Sequence, residues 1–397
     1  MGRSGPRVLV GVLAAVLTTA TLATLPAGAL RPHRWAGGGS ASPSPTTLTP
    51  RYLVFPAPQS DVTRGAAEAA MGKTVPLWSG SILATQKHKT YSFTMVGKDP
   101  TTPEKEPSVV VTVPLVPIVL HVRKAVFDPT VADTTCGEGN SDLGMIDASP
   151  IFNNVTYSPG GTVVGDTEYE DAFQRANFWA YTNPYGINPG YHVLVTPLNI
   201  APITIDVPAK QGHVYSSGCQ ALGIVNLVWF DRYIRHRLLP ELVANGVNPT
   251  TFPLFVTRNV VLDDHGCCVL GYHAETTTTA SQFYGFTEYD DTGDFGPNSG
   301  DINTMAHEVG EWMDDPYGTN RTPPWGHTGQ VAGCQANLEV GDPLSGTAVP
   351  VTSNGYTYHP QELAFFSWFF GQVPSMGVNG WYSSNGTFTG PATLCQH

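Results

Sequence analysis

The 397 residues carry 20 Lys and Arg against 32 Asp and Glu, a net charge of −12. An excess of acid on this scale excludes nucleic acid and anionic membrane surfaces as partners. Charged residues are only 13% of the chain, hydrophobic ones 41%, with 42 glycines and 34 prolines. That composition gives ample core material, many turns, and one large domain or two intimate ones.

In chain order, Arg3 and Arg7 precede an uncharged run from Val8 to Leu25 and the small-residue site Ala27-Gly28-Ala29. This pattern predicts a secretory signal peptide over 1–29, hence an exported, secreted protein with no membrane association after cleavage. Residues 30–50, ending in GGGSASPSPTTLTP, read as a disordered Gly/Ser/Pro linker. Residues 51–210 read as a β-rich N-terminal part. Strands are predicted over His88 to Val96, Ser108 to Val122, Tyr191 to Leu198 and Ile203 to Val207, and a helix over Asp166 to Tyr181. No Gly/Pro-rich linker separates this part cleanly from residues 211–397, so its strands are expected to extend the same sheet.

Residues 211–397 are more regular. Apolar residues recur at helical spacing from Val225 to Ala244, and Asn245-Gly246 closes that helix. Phe252 to Leu262 and Ser281 to Tyr289 are predicted strands, Asp290 to Gly300 an acidic loop, and Asp301 the cap of a helix from Ile302 to about Asp314, stopped by Pro316. Six cysteines in an exported chain predict disulfides, with the adjacent Cys267 and Cys268 bridging to two different partners.

The chemistry concentrates in His307 to Asp315, HEVGEWMDD. A helix advances about 100° per residue, so His307 and Glu311 project side by side as ligands of one metal. Glu308 stands beside them as a general base. Ile302, Met305, Val309, Trp312 and Met313 form the opposite, apolar side, leaving the polar side toward a cleft or solvent. Downstream, LEVGDP places Glu339 as third ligand and Asp342 as the group orienting a ligating His from behind, or the two with roles exchanged. Imidazole plus carboxylates with one open position suits catalytic zinc, and the carboxylate-rich set admits another divalent metal. The competing reading is a solvated acidic helix face with His307 incidental.

Other patterns are weaker. Asp290, Asp291, Asp294 and Asp301 lack EF-hand spacing and read as a solvated loop. His265 and His273 flank Cys267-Cys268 and read as hydrogen-bonded structural histidines. His327, Tyr358 and His359 are only nominal oxyanion donors. There is no G-x-S-x-G elbow and no dinucleotide or phosphate-binding glycine fingerprint.

YSFTMVGKDP (91–100), SPIF (149–152), CCVLGYH (267–273), HEVGEWMDDP (307–316), LEVGDPL (338–344), YHP…SWF (358–369) and NGWYSSNGTF (379–388) together resemble a family of exported bacterial proteins of unassigned function. The HExxE and EVGD elements resemble a divergent zincin-type metallopeptidase site. That resemblance implies His307, Glu311 and Glu339 as zinc ligands and Glu308 as base, with Glu311 standing where zinc peptidases have a second His. It also implies an α/β (α+β) fold: a zincin-like core of backing helix, small mixed sheet and HExxE helix, extended by N-terminal strands. The GYH and HEVGE stretches also resemble the Exordium-type wall proteins of plants. The expectation is a secreted zinc-dependent hydrolase acting on peptide or protein; the alternative is a non-catalytic extracellular or wall-binding protein on the same scaffold.

Overall fold

The computed structural model describes residues 48–136, 139–216, 219–277, 280–376 and 380–396. The expected signal peptide, and all of the expected linker but its last three residues, lie outside the described residues. Among the described residues no helix is long and apolar enough to cross a membrane.

The protein is mixed α/β, built on an 11-stranded mixed sheet with few helices. Its longest strand, Val109–Val122, is rich in valine and branched residues, as a strand buried on both faces must be. Val111, Val113 and Leu115 enter one apolar core, and Val116, Ile118 and Leu120 enter the other. Its first half pairs with Val193–Asn199 and its second with Ile203–Val207, while Leu254–Arg258 adds in parallel beside it. Ser281–Tyr289 and Val269–Thr277 come next, antiparallel to each other. The short strand Arg51–Phe55 lies parallel against Val269–Thr277. Strands from before and after residue 210 thus share one sheet.

The helix Asn303–Asp314 lies across Val269–Thr277 and Ser281–Tyr289. Its apolar side packs into the first core, where Trp312 stacks on Phe252 with centroids 3.9 Å apart. Its polar side is not solvated. All twelve residues are buried, because the helix Tyr169–Asn177 flanks it and the chain around 338–364 closes over it. The expectation of a cleft- or solvent-facing side is therefore corrected, and the solvated-face reading falls with it.

Four further expectations change. The helical pattern from Val225 begins inside a strand, Ala221–Asn226; the helix starts at Leu227, where Asn226 caps the Trp229 amide. That helix packs in the second core, on the opposite face of the sheet, so the flanking partner of the motif helix is Tyr169–Asn177. The long strand from Phe252 is broken at Asn259, which takes φ 48° between Leu254–Arg258 and Val260–Asp263; Asn tolerates that left-handed conformation better than most residues. Asp301 does not cap the motif helix: at φ 47° its carboxylate accepts from the Ile302 and His359 amides and pairs with the His359 ring.

The cysteines pair as Cys136–Cys219, Cys334–Cys395 and Cys267–Cys268. Bridging of Cys267 and Cys268 to two different partners is corrected, since the other four cysteines pair among themselves.

Candidate metal centre

Backbone proximity makes the site. Gly271, in the strand Val269–Thr277, lets the motif helix settle on the sheet; a Cβ there would stand 2.7 Å from both Glu308 Oε1 and Thr304 Cγ2. Gly341 does the same beside the helix, where a Cβ would stand 2.6 Å from His307 Cε1. Tyr52, carried by Arg51–Phe55, stacks on the His307 ring at 3.8 Å. Its main chain is held on both sides by the Gln330 amide, and its hydroxyl donates to Asn303. His307 and Glu308 are 0% exposed and Glu311 1%.

The tautomer of His307 is set by its neighbours. Gln361 donates Nε2 to the Gly341 carbonyl at 2.6 Å, so its Oε1 faces His307 Nδ1, 3.0 Å away. Nδ1 therefore carries the proton and Nε2 presents its lone pair. That lone pair faces Glu311 Oε1 at 3.0 Å and Asp342 Oδ1 at 3.7 Å. Among the described residues Nε2 has no hydrogen-bond partner, so the contact with Glu311 lacks hydrogen-bond angles. Two donors each about 2.0–2.2 Å from one tetrahedral ion stand about 3.3–3.6 Å apart, close to this spacing. The donor atoms of His307, Glu311 and Asp342 all lie within 4.8 Å of one another. An unpartnered imidazole nitrogen, facing carboxylates in a dry site, fits a divalent metal.

Of the two downstream carboxylates, Asp342 is the one that faces His307. Gly341 and the turn Asp342–Leu344 swing Asp342 toward His307, where Gln330 Nε2 also reaches its Oδ1. Glu339 is buried behind Glu311, its carboxyl hydrogen-bonded to that of Glu311, with Asn337 donating to its Oε1.

Electrostatics sorts these groups. Burial, then the charges of Glu311 and Asp342, push Glu308 far above the usual carboxylate range. Burial, then the Glu311 charge, does the same to Glu339 and Asp342. Burial also opposes ionisation of Glu311, but the imidazoles of His307 and His273 and a hydrogen bond with the Glu339 carboxyl outweigh it and hold it below its usual range. A divalent cation placed there would act in the same direction on every carboxyl around it.

The sequence presents His273 as a structural histidine; the fold places it in the centre. It is fully buried, with Nδ1 3.2 Å from Glu308 Oε2. Its Nε2 lies 3.2 Å from the Asp315 main-chain carbonyl. Gln361 and Tyr52 escape the sequence reading altogether, since nothing in their local sequence marks them. The nominal oxyanion donors sit elsewhere: His359 pairs with Asp301, Tyr358 donates to the Met145 carbonyl, and His327 is exposed. The acidic loop is not a free cluster either, since Asp291 pairs with Arg258 and Asp290 accepts from Thr292.

The chain matches no protein-family model, no curated protein and no solved structure.

Proposed function

We propose that this chain is an exported, metal-dependent hydrolase, a peptidase whose metal is held by a helix-borne His-Glu pair in the manner of a divergent zincin. The observation that supports it most is the His307 lone pair aimed at two carboxylates in a dry site. His307 and Glu311 would hold the ion, with Asp342 completing the set and Glu339 backing Glu311. A bound zinc or similar ion would supply Lewis-acid polarisation and make water acidic near neutral pH. Glu308 would then take and hand on a proton: its Oε1 is unpartnered, and a bound cation would offset the burial that holds its carboxyl neutral. The helix laid on a mixed sheet fits the zincin comparison; a helix backing it from the same face comes here from Tyr169–Asn177.

Burial favours a second reading, a binding or wall-associated protein with a structural ion. Tyr52 stacks on His307, so a substrate reaches the centre only when Arg51–Phe55 moves aside. One experiment separates the two. Metal content and peptide cleavage are measured in the mature wild type, His307→Ala and Tyr52→Ala. The hydrolase reading expects an ion that His307→Ala loses, and cleavage at least about 10-fold faster in Tyr52→Ala as the open state becomes populated. An ion with no cleavage in either form supports the structural role. A folded wild type that takes up no ion sinks both.

A further inference from the structure

Glu311 points its two carboxylate oxygens at two different histidines. Oε1 stands 3.0 Å from His307 Nε2, and Oε2 stands 3.7 Å from His273 Nδ1. His273, like His307, has its outward ring nitrogen fixed by a protein acceptor. A carbonyl oxygen only accepts, so the contact to the Asp315 carbonyl puts the ring proton on Nε2. Nδ1 is then an acceptor, hydrogen-bonded to Glu308 Oε2 at 3.2 Å and 3.7 Å from Glu311 Oε2. Between these three atoms there is room for a proton on Glu308 or for a cation that displaces it. The donor atoms of His273, Glu308 and Glu311 also lie within 4.8 Å of one another.

We infer that the centre takes two divalent cations bridged by Glu311, the first on His307, Glu311 and Asp342 and the second on His273, Glu308 and Glu311. This rests on the metal reading proposed above and extends it. The two trios share Glu311 alone, and each histidine keeps its outward nitrogen bonded to a protein acceptor, Gln361 for one and the Asp315 carbonyl for the other. That outer bond is what orients a ligating imidazole. A carboxylate presenting one oxygen to each ion suits pairs about 3.5–4 Å apart, the spacing of two-metal hydrolase sites. Charge points the same way. Glu308, Glu311, Glu339, Asp342 and Asp315 are buried together, and among the described residues no Lys or Arg ion pair reaches them. Each of these carboxyls ionises in the dry site only where a cation offsets the charge, and two divalent ions offset more of it than one. Glu308 then serves the second ion through Oε2, with Oε1 still free for a proton.

The test is a count of ions on the full mature chain, stripped with chelator and reloaded with Zn²⁺ or Mn²⁺. Wild type is expected to hold two per chain, His273→Gln one, and Glu311→Gln neither. Loaded with Mn²⁺, wild type should show the electron paramagnetic resonance of an exchange-coupled pair, a readout that needs no variant to fold. One ion per chain with an isolated-ion spectrum overturns the bridged pair and leaves the single-ion hydrolase standing. Two ions retained by a folded His273→Gln overturns the assignment to these residues. No ion in folded wild type overturns both proposals.

Discussion

His307 is held in one tautomer by a relay of three groups: the Gly341 carbonyl, the Gln361 amide and the ring itself. Each link has one polarity available, so the ring nitrogen left for a ligand is decided before any ligand arrives. Replacing Gln361 by Leu keeps the bulk and breaks the relay. Affinity for Zn²⁺ should fall about 10–100-fold, the usual cost of losing the group that orients a ligating histidine. Competition against a chromogenic chelator measures it, and an unchanged affinity in folded protein would remove Gln361 from the centre. The i, i+4 pair His307 and Glu311 is legible in the sequence, since helical geometry alone brings them together. Gln361 lies 54 residues from His307, and His273 35 from Glu308, so no local period reports them.

The motif helix is an element without an exposed side. Most helices on a sheet show one apolar stripe and one wet face; here Asp314 receives hydrogen bonds from Gln174 and Asn177 of the flanking helix instead of water. The apolar side is readable from Met305, Val309 and Trp312, but the cover over the polar side is built from distant segments. The close approach to the sheet depends on Gly271. Gly271→Ala would force a Cβ against Glu308 and Thr304 and lift the helix. It should destabilise the protein by about 1–3 kcal/mol, the range of overpacked cores, and weaken metal binding as well. Chemical denaturation midpoints alongside metal titration test this; wild-type values in both would show that the strand tolerates a side chain.

Across the whole molecule, many carboxyls are buried and held toward their neutral form. Burial raises Glu168 to about 8, even though the Val195 amide donates to it. Burial raises Asp314 to about 7. A glutamate carboxyl in an unfolded chain titrates at ~4.3. A group raised in the folded state contributes its full stability below the unfolded value, and loses it as pH climbs through the folded value. The melting temperature of metal-free protein should therefore fall from about pH 4.5 to about pH 8. Glu168→Gln, which retains an acceptor for the Val195 amide, should show a shallower fall over the same window. Equal slopes in the two proteins would mean Glu168 is ionised when folded.

Composition, strand runs such as Val109–Val122 and the spacing of His307, Glu308 and Glu311 are local properties, and local chemistry is enough to read them. They establish an acidic mixed α/β chain with one helix bearing candidate ligands. The partners of that helix come from assembly. Parallel pairing sets Arg51–Phe55 beside Val269–Thr277, which lays Tyr52 over His307 and His273 beneath Glu308. The turn at Gly341 selects Asp342 over Glu339 to face the imidazole. Those contacts join residues tens to hundreds of positions apart. Their energies come from burying one surface against another, which no stretch of chain encodes alone.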